Sequence, residues 1–99
     1  MKTHILNSLN QSQDMLMAFL LNADNITNIE NGAHLLIEAL KRHGSIFSCG
    51  NGGSMSDAMH FAEELSGRYR KSRSGLSATA ISDPGHITCV ANDFGYEHI

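Results

Sequence analysis

A strand, a helix and a second strand follow one another in the second half of this chain, and this order restricts its fold. The apolar run SIFSC (45–49) predicts a short strand, and LSATAI (76–81) predicts another. The segment between them, from Gly53 or Ser54 to about Gly67, has the apolar spacing of a helix. Parallel strands joined through a helix form a right-handed βαβ unit. We therefore expect an α/β fold with a parallel sheet.

Two helices are predicted before the first strand. They cover about residues 1–22 and 24–43, where apolar residues recur near the 3.6-residue period of a helix. Asp24 is the candidate N-cap of the second helix, which ends before Gly44. Neither helix carries side chains whose chemistry points to a ligand site. Their apolar faces are therefore expected to belong to a core or to a subunit interface.

A short helix is predicted after the second strand. It begins near Pro84, with Ser82 or Asp83 as its cap. Residues 1–99 are then part of one domain, in which the two helices precede a βαβα segment over about 45–95. Two short strands do not form an independently stable sheet. We therefore expect this chain to be the N-terminal portion of a longer domain, or to borrow strands from a partner.

Composition indicates a cytoplasmic protein. A net charge of −3 gives no electrostatic reason to expect nucleic acid or a membrane as partner, and the basic residues of 68–73 are predicted to form a solvated loop. No apolar run has the length of a signal peptide or a bilayer span. Cys49 and Cys89 lack CxxC spacing and are predicted to be small buried residues in a reducing compartment.

The turn CGNGGS (49–54) joins the first strand to the helix and is a candidate anion site. Free backbone N–H groups and the helix dipole point into such a junction, and Asn51 and Ser54 add polar side chains. Met55 stands where a GxGxxG dinucleotide motif needs glycine, and no P-loop Gly-Lys-Ser/Thr is present, so nucleotide binding is disfavoured. Spacing alone leaves two interpretations open: a site for phosphate or sugar oxygens, or a tight turn without ligand.

His60 and Glu64 are four residues apart and share one face of the predicted helix, with Asp57 beside them. We expect this face to look into the cavity that the glycine turn opens, and Glu63 to point about 100° away from Glu64. A histidine and a carboxylate at this spacing can hold two corners of a zinc site. A third ligand would come from another subunit, from residues beyond 99, or from Cys49, His86 or Asp93. A solvated His–Glu pair is the alternative interpretation.

Two motifs together resemble a known family. GNGGSMSDAMHFAEEL (50–65) and ATAISDPGHITCVANDFGYEHI (78–99) are similar to the N-terminal half of the bacterial phosphoheptose isomerases of the sugar isomerase (SIS) superfamily. The resemblance implies a three-layer αβα sandwich with a parallel, flavodoxin-like sheet, assembled as a homotetramer with active sites between subunits. It implies isomerisation of sedoheptulose 7-phosphate to D-glycero-D-manno-heptose 7-phosphate, which supplies heptose for the lipopolysaccharide core.

The resemblance also assigns roles to individual residues. It implies that His60 and Glu64 are zinc ligands and that Glu64 is the catalytic acid/base. The implied substrate-binding residues are Asn51, Gly52, Gly53, Ser54, Glu64, Asn92 and Asp93. The family's remaining zinc ligands and its serine/threonine-rich phosphate loop lie downstream of residue 99, so the 99 residues alone are expected to be inactive. A non-catalytic SIS module, which binds a sugar phosphate or a replication initiator, is the alternative, and the presence of Glu64 argues against it.

Overall fold

Four α-helices and two strands follow one another in the order that the sequence predicts. The computed structural model describes residues 1–99, which divide into two compact units, Met1–Ile37 and Glu38–Ile99. A 3-10 turn, Tyr96–His98, follows the last helix. None of the helices combines the length and apolar character needed to cross a membrane. In chain order the elements are α1 (Lys2–Leu21), α2 (Ala23–Lys41), β1 (Ile46–Ser48), α3 (Gly53–Ser66), β2 (Ala78–Ala80) and α4 (Pro84–Asp93).

The junction between α1 and α2 is set by two asparagines. Asn22 has extended backbone angles, which end α1, and its Oδ1 accepts a hydrogen bond from the backbone N–H of Asp24 at 3.0 Å. Asn25 Nδ2 donates to the carbonyl of Phe19 at 2.9 Å. This bond satisfies one of the carbonyls that the C-terminal turn of α1 leaves without a partner in the helix. The prediction that Asp24 caps α2 is therefore wrong, because α2 already begins at Ala23 and the capping side chain belongs to Asn22.

The first helix keeps its apolar face exposed. Its leucines at the predicted helical spacing are each more than half accessible to solvent; they are Leu6, Leu9, Leu16 and Leu20. No residue of α1 or α2 is fully buried. The periodicity that predicted these helices therefore describes a surface that the described residues leave uncovered.

The two strands form the predicted parallel pair. Ile46 lies opposite Ala78 and Ser48 opposite Ala80, and the pairing is closed at its ends by Ile46 N–H to the Ser77 carbonyl (2.9 Å) and Ile81 N–H to the Ser48 carbonyl (2.8 Å). Each strand has three residues, fewer than the apolar runs suggested, because only the hydrogen-bonded centres of those runs are regular strand. The βαβ prediction is confirmed.

Helix α3 covers one face of this sheet through alanines. Ala58 and Ala62, one turn apart, are buried together with Ile46 of β1. Their small side chains let the helix backbone approach the strands closely, and Ser48 Oγ donates to the Ala58 carbonyl at 2.8 Å. Phe47, whose side chain alternates to the opposite face, stays 68% exposed. The sheet and α3 are thus two adjacent layers, and α3 has a fixed position relative to the strand ends.

The predicted N-terminal cap of α4 is present, whereas the predicted burial of the cysteines is wrong. Asp83 Oδ1 accepts from the His86 backbone N–H at 2.7 Å, and Pro84 occupies the first helical position. Cys49 and Cys89 are free thiols and both are exposed. Cys49 follows the last paired residue of β1, and Cys89 lies on α4, which contacts only the 3-10 turn among the other elements. Apolar sequence context therefore did not translate into burial.

Candidate active site

The glycine turn between β1 and α3 has a geometry that two of its glycines make possible. Gly52 is the N-cap of α3 and has φ +56°, a left-handed conformation that L side chains rarely adopt. A Cβ at Gly50 would lie 2.5 Å from the Ser54 backbone. At Gly53 a Cβ would meet nothing within 4 Å. Backbone geometry therefore accounts for glycine at 50 and 52, but it does not account for glycine at 53.

The turn forms one wall of a cavity of about 650 Å³. Three of the predicted substrate-binding residues line it, Asn51, Gly52 and Ser54, and Thr88 of α4 adds a hydroxyl. Gly53 begins α3 at the edge of this group. The structure therefore brings the turn's polar side chains and the N-terminus of α3 together at one opening, where an anion would meet hydrogen-bond donors.

Tyr96 also reaches this cavity, which sequence reasoning missed. Its hydroxyl donates to Asn51 Oδ1 at 2.9 Å, across 45 positions of sequence. With its oxygen engaged in this way, the Asn51 side chain keeps its NH2 group free as a donor. No local pattern around Tyr96 indicates this contact, because it depends on the chain after α4 returning to the turn.

Further along α3, His60 and Glu64 form the predicted pair. His60 Nε2 and Glu64 Oε1 are 3.1 Å apart, and Glu64 is the more shielded of the two side chains. The potential ligand atoms of His60, Glu63 and Glu64 lie within 4.8 Å of one another. The prediction that Glu63 points away is therefore wrong. The two glutamates lie about 60° and 40° to either side of His60, within reach of flexible side chains.

The pair faces a second cavity, of about 500 Å³, and not the cavity at the glycine turn. Asp57, His60 and Glu64 supply its polar wall, with apolar groups from Phe61 and Leu65. The expectation of one shared cavity is wrong for this chain. His60 lies seven residues into α3, about 10 Å along the axis from Gly53, and the two cavities share no lining residue.

The two candidate substrate contacts on α4, Asn92 and Asp93, line neither cavity. Asn92 and Asp93 form the last turn of α4, where Asn92 Nδ2 donates to Asp93 Oδ1 at 2.9 Å. Asp93 Oδ2 is 3.5 Å from Cys89 Sγ. Of the candidates for a third metal ligand, Cys49 lines the cavity at the turn, and His86 and Asp93 belong to α4. The carboxylate that does approach His60 and Glu64 is that of Glu63.

Arg73 lines the His60–Glu64 cavity, although the sequence predicted a solvated loop there. Its side chain is half-buried and bonds the end of α3, while Arg68 and Arg70 of the same basic segment are exposed. A signal for this role exists in retrospect, since a cationic side chain after a helix C-terminus is suited to its free carbonyls. Which of the basic residues would occupy that place was not encoded in their spacing.

Comparison with known proteins identifies the family. The model of the SIS domain family matches residues 9–99. The chain belongs to the SIS domain family. The resemblance of its motifs is confirmed by relatives named phosphoheptose isomerase: the protein from Aeromonas salmonicida is 54% identical over 95 residues, and that from Yersinia enterocolitica is 56% identical. Each alignment covers 96% of this chain, and 50% and 49% of the respective relative. The chain therefore spans about half the length of the curated relatives it matches.

Solved structures show the same fold. A phosphoheptose isomerase from Francisella tularensis superposes with a TM-score of 0.83 at 28% identity, covering 99% of this chain and 51% of the other. The enzyme from Neisseria gonorrhoeae has a TM-score of 0.72 at 31% identity, with 97% and 46% covered. The predicted fold class is confirmed: this SIS domain chain contains part of an αβα architecture with a parallel sheet.

Proposed function

We propose that this chain is the N-terminal half of a phosphoheptose isomerase, which converts sedoheptulose 7-phosphate to D-glycero-D-manno-heptose 7-phosphate. The observation that carries the proposal is the His60 Nε2–Glu64 Oε1 pair at 3.1 Å, on the helix that begins at the glycine turn. Relatives that carry this enzyme name and share 54–56% of the aligned residues support it.

Glu64 is the proposed acid/base of the reaction. A ketose becomes an aldose when a proton leaves the carbon next to the carbonyl and returns to the former carbonyl carbon, while a second proton moves between the two oxygens. A carboxylate can remove the first proton and deliver it to the neighbouring carbon, provided that the carboxylate is held close to both carbon atoms. Glu64 is half-buried at the wall of a cavity. This position suits a group that must contact substrate while it is shielded from bulk water.

The residues around His60 fit a zinc ion. One imidazole nitrogen and two carboxylates lie within 4.8 Å of one another, and these are donor types that zinc accepts. His60 and Glu64 would hold the metal, with Glu63 as a neighbouring carboxylate. When bound there, zinc would polarise the sugar carbonyl as a Lewis acid. Other residues of the complete protein or of a second subunit would complete the ligand set.

The glycine turn is the proposed binding site for the sugar phosphate. Backbone N–H groups at the start of α3, the Asn51 amide and the Ser54 hydroxyl would donate to its oxygens, with close approach permitted at Gly52 and Gly53. The proposed contacts of Asn92 and Asp93 with substrate rest on the family resemblance. If the protein is a phosphoheptose isomerase, as proposed, we also expect a homotetrameric assembly, a cytoplasmic location and a role in heptose supply for the lipopolysaccharide core.

The decisive experiment is turnover by the complete protein after zinc loading. We expect conversion of sedoheptulose 7-phosphate, followed by NMR of the sugar, and we expect Glu64→Gln to lower kcat by about 10²–10⁴-fold because the proton carrier is lost. Glu38→Gln is the matched control, since Glu38 is an exposed carboxylate of α2 paired with Lys41. Circular dichroism would verify that both variants fold.

Two results would contradict the proposal. Zinc-loaded protein with no turnover would exclude the isomerase activity. Protein that binds the sugar phosphate, retains no metal and shows no turnover would instead support a non-catalytic SIS module.

A further inference from the structure

The last turn of α3 leaves carbonyl groups that need hydrogen-bond donors. The helix ends at Ser66, and the final four carbonyls of a helix have no partner within it. The Glu63 carbonyl accepts from the Gly67 backbone N–H at 2.7 Å. The next two carbonyls belong to Glu64 and Leu65, so the backbone at the proposed acid/base is one of the groups that require a donor from outside the helix.

The guanidinium of Arg73 supplies those donors. Nη2 donates to the Glu64 carbonyl at 2.8 Å, and Nη1 donates to the Leu65 carbonyl at 2.8 Å. Nη1 also contacts the carbonyl oxygens of Gly67 and Ser74 at 3.1 and 3.0 Å. One planar cation therefore joins the final turn of α3 to the loop that follows it. Its positive charge also lies at the negative end of the helix dipole.

The bond to Glu64 distinguishes Arg73 from an ordinary helix cap. The Leu65 carbonyl has a second donor, the Leu76 backbone N–H at 3.0 Å, whereas Arg73 is the donor that reaches the Glu64 carbonyl. Arg73 also lines the same cavity as the His60 and Glu64 side chains. Arg73 thus contacts the main chain of Glu64, and both residues line one cavity.

We propose that Arg73 is a positioning residue that fixes the backbone of Glu64, and thereby the direction of its carboxylate relative to His60. This inference rests on the proposed function, in which Glu64 binds zinc and transfers the proton. Partners that orient metal ligands typically change metal affinity or activity by about 10–100-fold when they are mutated. Lysine should not replace this arginine, because a single ammonium cannot reproduce a planar fork that spans several carbonyls.

The test compares Arg73→Lys and Arg73→Gln with Lys71→Gln in the complete protein. Lys71 is exposed in the same basic segment, so its variant removes one positive charge without touching the end of α3. The readouts are the zinc dissociation constant, from competition with a chelator, and kcat for sedoheptulose 7-phosphate per folded molecule. We expect both Arg73 variants to weaken zinc binding and to lower kcat by about tenfold or more, and the Lys71 variant to match wild type.

Zinc affinity separates positioning from mere stability. A zinc dissociation constant measured at a temperature well below the midpoint of thermal unfolding is a property of folded molecules. If Arg73 only stabilised α3, its replacement would therefore leave this constant unchanged. Wild-type zinc affinity and kcat in Arg73→Lys would overturn the inference. If that variant does not fold, unchanged zinc affinity in folded Arg73→Gln would overturn it equally. An inactive wild-type protein would refute the proposed function, while the zinc measurement would still decide the role of Arg73.

Discussion

The hydroxyl of Tyr96 donates a hydrogen bond to Asn51 in the glycine turn, and its removal would measure what that bond contributes to substrate binding. Tyr96→Phe removes the donor to Asn51 Oδ1 and leaves the ring in place. Such a bond contributes about 0.5–1.5 kcal/mol, so we expect KM for the sugar phosphate to rise about two- to tenfold with kcat nearly unchanged. The physical reason is that the Asn51 amide loses the partner that holds its NH2 group in one orientation. Steady-state kinetics of the complete protein measures both parameters.

The double variant provides the control for this prediction. If Tyr96 acts through Asn51, Tyr96→Phe should have no further effect in an Asn51→Ala background, because the acceptor is already absent. Equal effects of Tyr96→Phe in both backgrounds would show that the hydroxyl acts on something other than Asn51.

At the scale of elements, the β1–α3 junction separates glycines needed for folding from a glycine left free. Gly50→Ala would drive a methyl group into the Ser54 backbone, so we expect a loss of roughly 1–3 kcal/mol in the free energy of unfolding. Gly53→Ala meets open space at the first residue of α3, where alanine is a better helix former by up to about 1 kcal/mol. Thermal unfolding should therefore show a lower midpoint for the first variant and an equal or higher one for the second.

Glycine at position 53 should matter for substrate affinity, although it is not needed for stability. In the proposed function the sugar phosphate approaches the backbone at this position, and an added methyl group would stand in its way. We expect Gly53→Ala to raise KM several-fold although the protein is at least as stable as wild type. Unchanged KM in a stable Gly53→Ala protein would mean that the ligand does not approach here.

Elements whose signals are local were predictable, and contacts that depend on chain return were not. Pro84 placed the α4 cap at Ser82 or Asp83, and the structure has it at Asp83. The βαβ order follows from two apolar runs around an amphipathic segment. By contrast, the Asn51 contact with Tyr96 and the place of Arg73 at the end of α3 require the path of the loops between them. Burial failed for a related reason: neighbours in space, and not neighbours in sequence, decide whether a cysteine is covered.

The candidate site was predictable to the same extent. Helical spacing was enough to bring His60 and Glu64 together, since both belong to one helix. It was not enough to show that the glycine turn and the His60–Glu64 pair line different cavities, or that Glu63 would approach as a third potential ligand. Those outcomes depend on side-chain reach and on how α3 lies against the sheet.

At the scale of the whole molecule, the exposed leucines of α1 test the proposed homotetramer. Leu9 and Leu16 are two turns apart on one face of the helix and are each more than half exposed. Replacing both by glutamate would place charges in any apolar interface built on this face, where an unpaired buried carboxylate is strongly unfavourable. We expect the double variant of the complete protein to sediment as a smaller species, with the helix content unchanged by circular dichroism.

Gln11→Glu is the matched control, because Gln11 lies on the opposite side of α1 and its replacement adds the same type of charge. It should leave the sedimentation coefficient at the wild-type value. If active sites form between subunits, isomerase activity should fall together with the mass in the leucine variant and remain in the control. An unchanged mass for Leu9→Glu/Leu16→Glu would show that the assembly does not use this face of α1.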